Sequence, residues 1–170
     1  LFVVLLIVLH PTQELEPPAN PARFTRNIFD AMISFRDHIR NESHVFPMAF
    51  ANEEMRDWDN KDLECFAADL IAPWYFNFYV SWQTCEEKLH VTYEEMKTDK
   101  ISYFSKILKY ADLDANKEAV EDLLARSRNE STRKNAAVSG RGSQICDEAK
   151  QKILGYASYY PDVDFSPIGL

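Results

Sequence analysis

The chain has 170 residues, of which 46% are hydrophobic, 27% charged and 13% aromatic. This is the profile of a folded globular domain, and it excludes a disordered, collagen-like or membrane-spanning chain. Twenty-seven acidic against 19 basic residues leave a formal net charge of -8, which argues against nucleic acid or an anionic membrane as partner but leaves room for a local basic pocket.

Residues 1–9, Leu1-Phe2-Val3-Val4-Leu5-Leu6-Ile7-Val8-Leu9, form an apolar run, about half the length needed to span a bilayer. They lack the basic lead and small-residue cleavage site of a signal peptide, and their β-branched content suits a buried parallel strand. Pro11, Pro17, Pro18 and Pro21 then make residues 10–21 a loop. Ala22 to Thr25 is a short extended piece. From Asn27 the apolar residues Ile28, Met32, Phe35 and Ile39 recur at helical spacing, so Arg26 stands at a strand-to-helix junction. After turn-like stretches over 41–58, Asn60 is placed to cap a helical segment reaching about Lys88, which Pro73 kinks or divides. The aromatic centre of that segment, Ile71 to Trp82, reads first as buried packing and second as an apolar substrate wall. Leu89 to Tyr93 alternates like a strand, and helices follow over about Ile101 to Ala111, Lys117 to Arg126 and Asp147 to Tyr159. Strands alternating with helices predict a single α/β domain over residues 1–170 with a mainly parallel sheet.

The stretch from Arg126 to Ser143 gathers Arg126, Arg128, Arg133, Lys134 and Arg141, with Gly140 and Gly142, in an otherwise acidic chain. Such a loop either offers guanidinium forks and backbone N–H groups to a phosphate or is a solvated lead into the last helix. Cys65, Cys85 and Cys146 are odd in number and widely spaced, with no C-x-x-C pair and no histidines at zinc spacing. They point to a reducing compartment, hence the cytoplasm, and to no metal. Two N-x-S sequons, at Asn41 and Asn129, pull weakly the other way.

Several separated motifs agree in order, and together the chain resembles the sulfotransferases that use 3'-phosphoadenosine 5'-phosphosulfate (PAPS). Thr25-Arg26-Asn27-Ile28-Phe29-Asp30-Ala31-Met32-Ile33-Ser34 is similar to that family's strand-to-helix signature, in which the arginine and the serine eight residues on bind the 3'-phosphate. If the helix starts near Asn27, Arg26, Asp30 and Ser34 follow at i, i+4, i+8 on one face, with Ser34 roughly 10 Å along the axis. The competing reading pairs Arg26 with Asp30. Val138-Ser139-Gly140-Arg141-Gly142 and Tyr159 to Phe165 resemble the family's C-terminal phosphate loop and closing segment, although Ala136-Ala137 replaces its lysine-glycine pair, so Arg133, Lys134 and Arg141 would carry the charge. Val91-Thr92-Tyr93-Glu94 looks like the strand end that bears an adenine-contacting tyrosine, here Tyr93. His10, after the first apolar run, stands where the family has its catalytic base, with Val8 in place of the lysine often found two residues before it.

The resemblance implies a three-layer α/β fold with a P-loop-NTPase-like parallel sheet flanked by helices. The fold would be N-terminally incomplete, because no glycine- and lysine-containing 5'-phosphosulfate loop precedes His10 in these residues. It further implies PAPS as cofactor, 3',5'-adenosine diphosphate as product, and a small-molecule or carbohydrate acceptor, with no nucleic acid and no membrane span. An inactive sulfotransferase-like module that binds nucleotide or a partner is the alternative. A P-loop nucleotide kinase finds no support, since G-x-x-x-x-G-K-[ST] does not occur here.

Overall fold

A computed structural model describes residues 21–42, 51–113, 116–129 and 140–170. The expected strand at 1–9 and loop at 10–20 lie outside these residues, as do His10, Arg133, Lys134 and most of the basic stretch. The chain divides into two compact units, one formed by residues up to Thr25 together with Cys85–Lys134, the other by Arg26–Thr84 with Asn135–Leu170.

The first unit holds the sheet. Strand β1 (Ala22–Thr25) pairs in parallel with β2 (Leu89–Thr92), in the register Ala22 to Leu89 and Thr25 to Thr92. Parallel pairing was expected, but among the described residues the sheet has two strands and helices dominate, so the broad three-layer sheet is not seen there. Helix α4 (Tyr93–Thr98) follows β2 directly, then α5 (Lys100–Tyr110) and α6 (Lys117–Asn129). The strand therefore stops one residue before Tyr93. The cause is local: the Thr92 hydroxyl accepts the Glu95 N–H and the Glu95 carboxylate accepts the Thr92 N–H, a reciprocal cap that starts a helix at residue 93.

The second unit is helical. Helix α1 (Ile28–Asn41) is capped by Asn27, whose Oδ1 accepts the N–H groups of Phe29 and Asp30 at 3.0 and 3.2 Å. Its acidic Asp30 in the first turn and His38 and Arg40 in the last complement the helix dipole. Ile28, Met32, Ile33, Phe35 and Ile39 are fully buried. A 3-10 turn (Glu53–Asp57) precedes α2 (Asn60–Leu70) and α3 (Ala72–Ser81). The long segment expected from Asn60 to about Lys88 is thus two helices ending at Ser81, with Asp59 as the cap rather than Asn60. Pro73 divides them from within the first turn of α3, where its missing N–H costs no helical bond. A second 3-10 turn (Arg141–Gln144) leads into α7 (Asp147–Ala157), and a third (Ser166–Ile168) closes the chain.

Helix α1 packs on α2 and on the Arg141–Gln144 turn, and α2 on α3 and α7. The aromatic run of α3 is largely core, as expected: Tyr75, Phe76 and Tyr79 are buried. Phe165 stacks edge-on to Phe76 at 5.1 Å and packs at 5.4 Å on Tyr79, whose hydroxyl donates to the Asp164 carbonyl at 2.9 Å. Burial of such rings contributes more than any other side chains in the unit, and here it fastens the C-terminal segment to α3.

Candidate functional site

The N-terminal end of α1 is where the second unit brings its polar groups together. Arg26 precedes the capping residue, so it lies outside the helix and only Asp30 and Ser34 share the helical face. The i, i+4, i+8 reading therefore does not extend to Arg26. Its backbone is instead held by one side chain. The buried Tyr75 hydroxyl accepts the Arg26 N–H at 2.9 Å and donates to the Arg26 carbonyl at 2.6 Å. Both main-chain groups at the junction are thereby satisfied by a rigid ring from the neighbouring helix, and the guanidinium stem leaves from a fixed point.

Asp30 does not turn to Arg26. Its carboxylate, 2% exposed, accepts the Gly140 N–H at 2.7 Å and the Gly142 N–H at 2.5 Å. One carboxylate in the first turn of α1 thus clamps the glycine loop by two charge-assisted bonds. The loop needs glycine at both places for separate reasons. Gly140 has φ +84°, and a Cβ at Gly142 would stand 2.5 Å from the Phe29 Cβ and 2.8 Å from the Asp30 nitrogen. The N–H groups expected to face a phosphate at Gly140 and Gly142 are therefore committed to a carboxylate. Gly169, also at positive φ, brings the chain end against the Asn27 side chain, so three segments meet at this helix end.

Arg141 extends the clamp. Its Nη1 lies 2.5 Å from Asp37, which also pairs with Arg36 at 2.8 Å. Arg36 reaches Glu64 of α2 at 2.6 Å, and Glu64, itself 2% exposed, accepts the Cys146 N–H at 2.7 Å. Burial works against the Arg36 charge, and its bonds to Asp37 and Glu64 outweigh that and raise its pKa. The turn Arg141–Gln144 is so tied to α1 at one end and to α2 at the other. Ser34 is buried at 5% exposure one turn beyond Asp30.

Of the expected site residues, Arg26, Ser34, Gly140, Arg141 and Gly142 fall in this unit. Tyr93 belongs to the first unit, half-buried at the first residue of α4. His10, Arg133 and Lys134 lie outside the described residues. Three polar groups with a structural part in their own unit carry no assignment from sequence: Tyr75 and Glu64 beside the α1 site, and His90 in the first unit. Tyr75 carries no local signal. Glu64 does: it sits at helical spacing with the buried Ala67, Ala68 and Ile71, and a charge on an apolar stripe requires a partner. His90, read as an ordinary strand residue, bridges the sheet of the first unit. Its Nδ1 lies 3.2 Å from Arg23 Nη2 and its Nε2 2.7 Å from the Thr25 hydroxyl. Arginine only donates, so Nδ1 is the acceptor and the imidazole is neutral with its proton on Nε2. Burial first, then the Arg23 charge, lowers its pKa to about 4.

Among the described residues no helix is long and apolar enough to cross a membrane, and no cluster of three histidine, cysteine or carboxylate side chains could hold a metal ion. A family model described as a sulfotransferase domain matches residues 11–153. No curated protein and no solved structure matches.

Proposed function

The chain belongs to the sulfotransferase-domain family, and from that premise we propose that it moves a sulfuryl group from PAPS to a hydroxyl or amine of a small-molecule or carbohydrate acceptor. The end of α1 supports this reading. A 3'-phosphate asks for one forked cation, a hydroxyl donor and a fixed backbone around them. Arg26, pinned at its own peptide groups by Tyr75, supplies the fork, and Ser34 on α1 supplies the hydroxyl. Gly140 and Gly142 hold the loop in place through Asp30 rather than donating to the ligand, and Arg141 is engaged with Asp37. Arg26 is thus the principal cation of this reading, and the family resemblance adds Arg133 and Lys134 as further charges and Tyr93 as the contact to adenine.

PAPS, when bound, supplies an activated sulfuryl group on a phosphate leaving group. The chain's own part is to anchor the far end of that molecule and to take a proton. Anchoring the non-reacting end converts binding energy into orientation of the reacting end. His10 takes the proton from the acceptor, as an imidazole that titrates near neutral pH is suited to do.

The observation that carries this reading is the Arg26–Ser34 segment, with its junction backbone locked and its helix face clamped to a glycine loop. Calorimetric titration of the chain with 3',5'-adenosine diphosphate tests it, with adenosine 5'-phosphate as control. We expect preference for the ligand bearing the 3'-phosphate, lost by at least about tenfold in Arg26→Ala, as befits one charge-assisted pair. Equal affinity for both ligands, or in the variant, would remove the assignment. Binding without sulfuryl transfer to any acceptor would favour the inactive module.

A further inference from the structure

We propose that Cys65 and Cys146 form a modification site, a thiol pair that a low-molecular-weight disulfide such as oxidised glutathione converts into an internal disulfide. Eighty-one residues apart in sequence, the two Sγ atoms lie 4.0 Å from each other. A disulfide needs about 2.05 Å, so the two sulfurs have about 2 Å to close. Both residues are free thiols, neither fully buried nor fully exposed.

The backbone around the pair is already held for this bond. Glu64, the residue before Cys65 in α2, accepts the N–H of Cys146 at 2.7 Å, and α2 packs along α7, whose first turn follows Cys146. The ion pairs Lys61–Glu148 at 3.0 Å and Lys152–Asp69 at 2.8 Å span the same two helices. Cys85 differs: it belongs to the other unit, and its Sγ donates to the Glu87 carbonyl. The bond would join α2 to the N-cap of α7, two residues past the Arg141–Gln144 turn, so oxidation would fix covalently the segment that Asp30 and Glu64 hold by hydrogen bonds. The site is independent of the sulfotransferase reading.

Burial, then the neighbouring Cys146, pushes the Cys65 thiol up to about 11. The exchange opens when one of the two thiols, as its thiolate, attacks one sulfur of oxidised glutathione, forms a mixed disulfide and expels one glutathione thiolate, which takes up a proton. The other thiol then gives its proton to solvent and, as its thiolate, displaces the second glutathione, which takes up a proton in turn. Two protein thiols and one glutathione disulfide become one protein disulfide and two glutathione thiols.

The test uses the full chain, with Cys85→Ser to remove the third thiol. After incubation with oxidised glutathione at pH 8, intact mass should show loss of two hydrogens without a glutathione adduct. Non-reducing peptide mapping should join the Cys65 and Cys146 peptides. In Cys65→Ser the reaction should stop at a single adduct on Cys146. The oxidised chain should melt higher by at least about 5 °C, reversed by dithiothreitol, because closing so long a loop restricts the unfolded chain. Separate glutathione adducts on both cysteines, or two thiols that remain titratable, would overturn the proposal. So would an unchanged melting temperature once the disulfide has formed.

Discussion

Replacing Asp30 by alanine removes one carboxylate and two bonds at once. Its oxygens lie 2.7 and 2.5 Å from the N–H groups of Gly140 and Gly142, and the residue is 2% exposed, so little water competes for either bond. Hydrogen bonds to a charged group contribute about 1.5–3 kcal/mol each, and a buried donor left without a partner costs a similar amount. Allowing for partial relaxation of the loop, Asp30→Ala should lose about 3–5 kcal/mol of unfolding free energy. Asp30→Asn preserves shape and one acceptor oxygen but sets an NH2 against the second N–H, so a loss of about 2 kcal/mol is expected. Urea titration followed by tryptophan fluorescence reads this effect where it arises, since Trp58, Trp74 and Trp82, the three tryptophans of the chain, all belong to the unit that contains Asp30. Losses below about 0.5 kcal/mol for the alanine variant would refute the clamp, being the size of an ordinary surface substitution.

Gly142→Ala forces a Cβ to within 2.5 Å of the Phe29 Cβ and should cost about 1–3 kcal/mol by overpacking, again read by urea titration. A variant as stable as the parent would show that the loop shifts freely. Tyr75→Phe keeps the ring and loses both bonds to the Arg26 backbone, which should lower stability by about 1–2 kcal/mol and weaken 3',5'-adenosine diphosphate binding; unchanged affinity would separate Tyr75 from the site. His90 is expected to stay neutral down to about pH 4, as NMR of its imidazole would show. The unfolded chain takes up this proton below about pH 6.5 and the folded chain does not, so the contribution is complete above pH 6.5 and falls as the pH drops toward 4. Allowing for solvent screening of a half-exposed ring, the loss is roughly 1–2 kcal/mol. Titration of the imidazole near pH 6.5 would contradict the Arg23–His90–Thr25 bridge.

How far these features were legible in the sequence depends on whether their signal is local. The helix from residue 28, the strands at Ala22–Thr25 and Leu89–Thr92, and the break at Pro73 each carry a period or a breaker within a few residues. The T-x-x-E signature at Thr92 is equally local, yet the alternation of Leu89 to Tyr93 masks it and predicts a strand that ends one residue too late. Asp59 and Asn60 are both good caps, and only geometry chooses between them. A family signature singles out Arg26 and Ser34, which the structure describes just before the cap of α1 and within that helix. The site was not legible where distant segments meet. The separation of Asp30 from Gly140 and Gly142 exceeds 100 residues, so its carboxylate was read against the nearest cation, Arg26. Tyr75 offers its hydroxyl to a backbone, a partner that every residue possesses and no pattern reveals. The Cys65–Cys146 approach is of the same kind, since wide spacing in sequence says nothing about distance once α2 and α7 pack together.

The most direct measurement is a crystal structure of the chain with 3',5'-adenosine diphosphate. We expect the 3'-phosphate oxygens within about 3 Å of both the Arg26 guanidinium and the Ser34 hydroxyl, with the Asp30 clamp on Gly140 and Gly142 intact. A ligand whose 3'-phosphate lies away from the start of α1, or one that binds only after Asp30 has released the glycine loop, would contradict it.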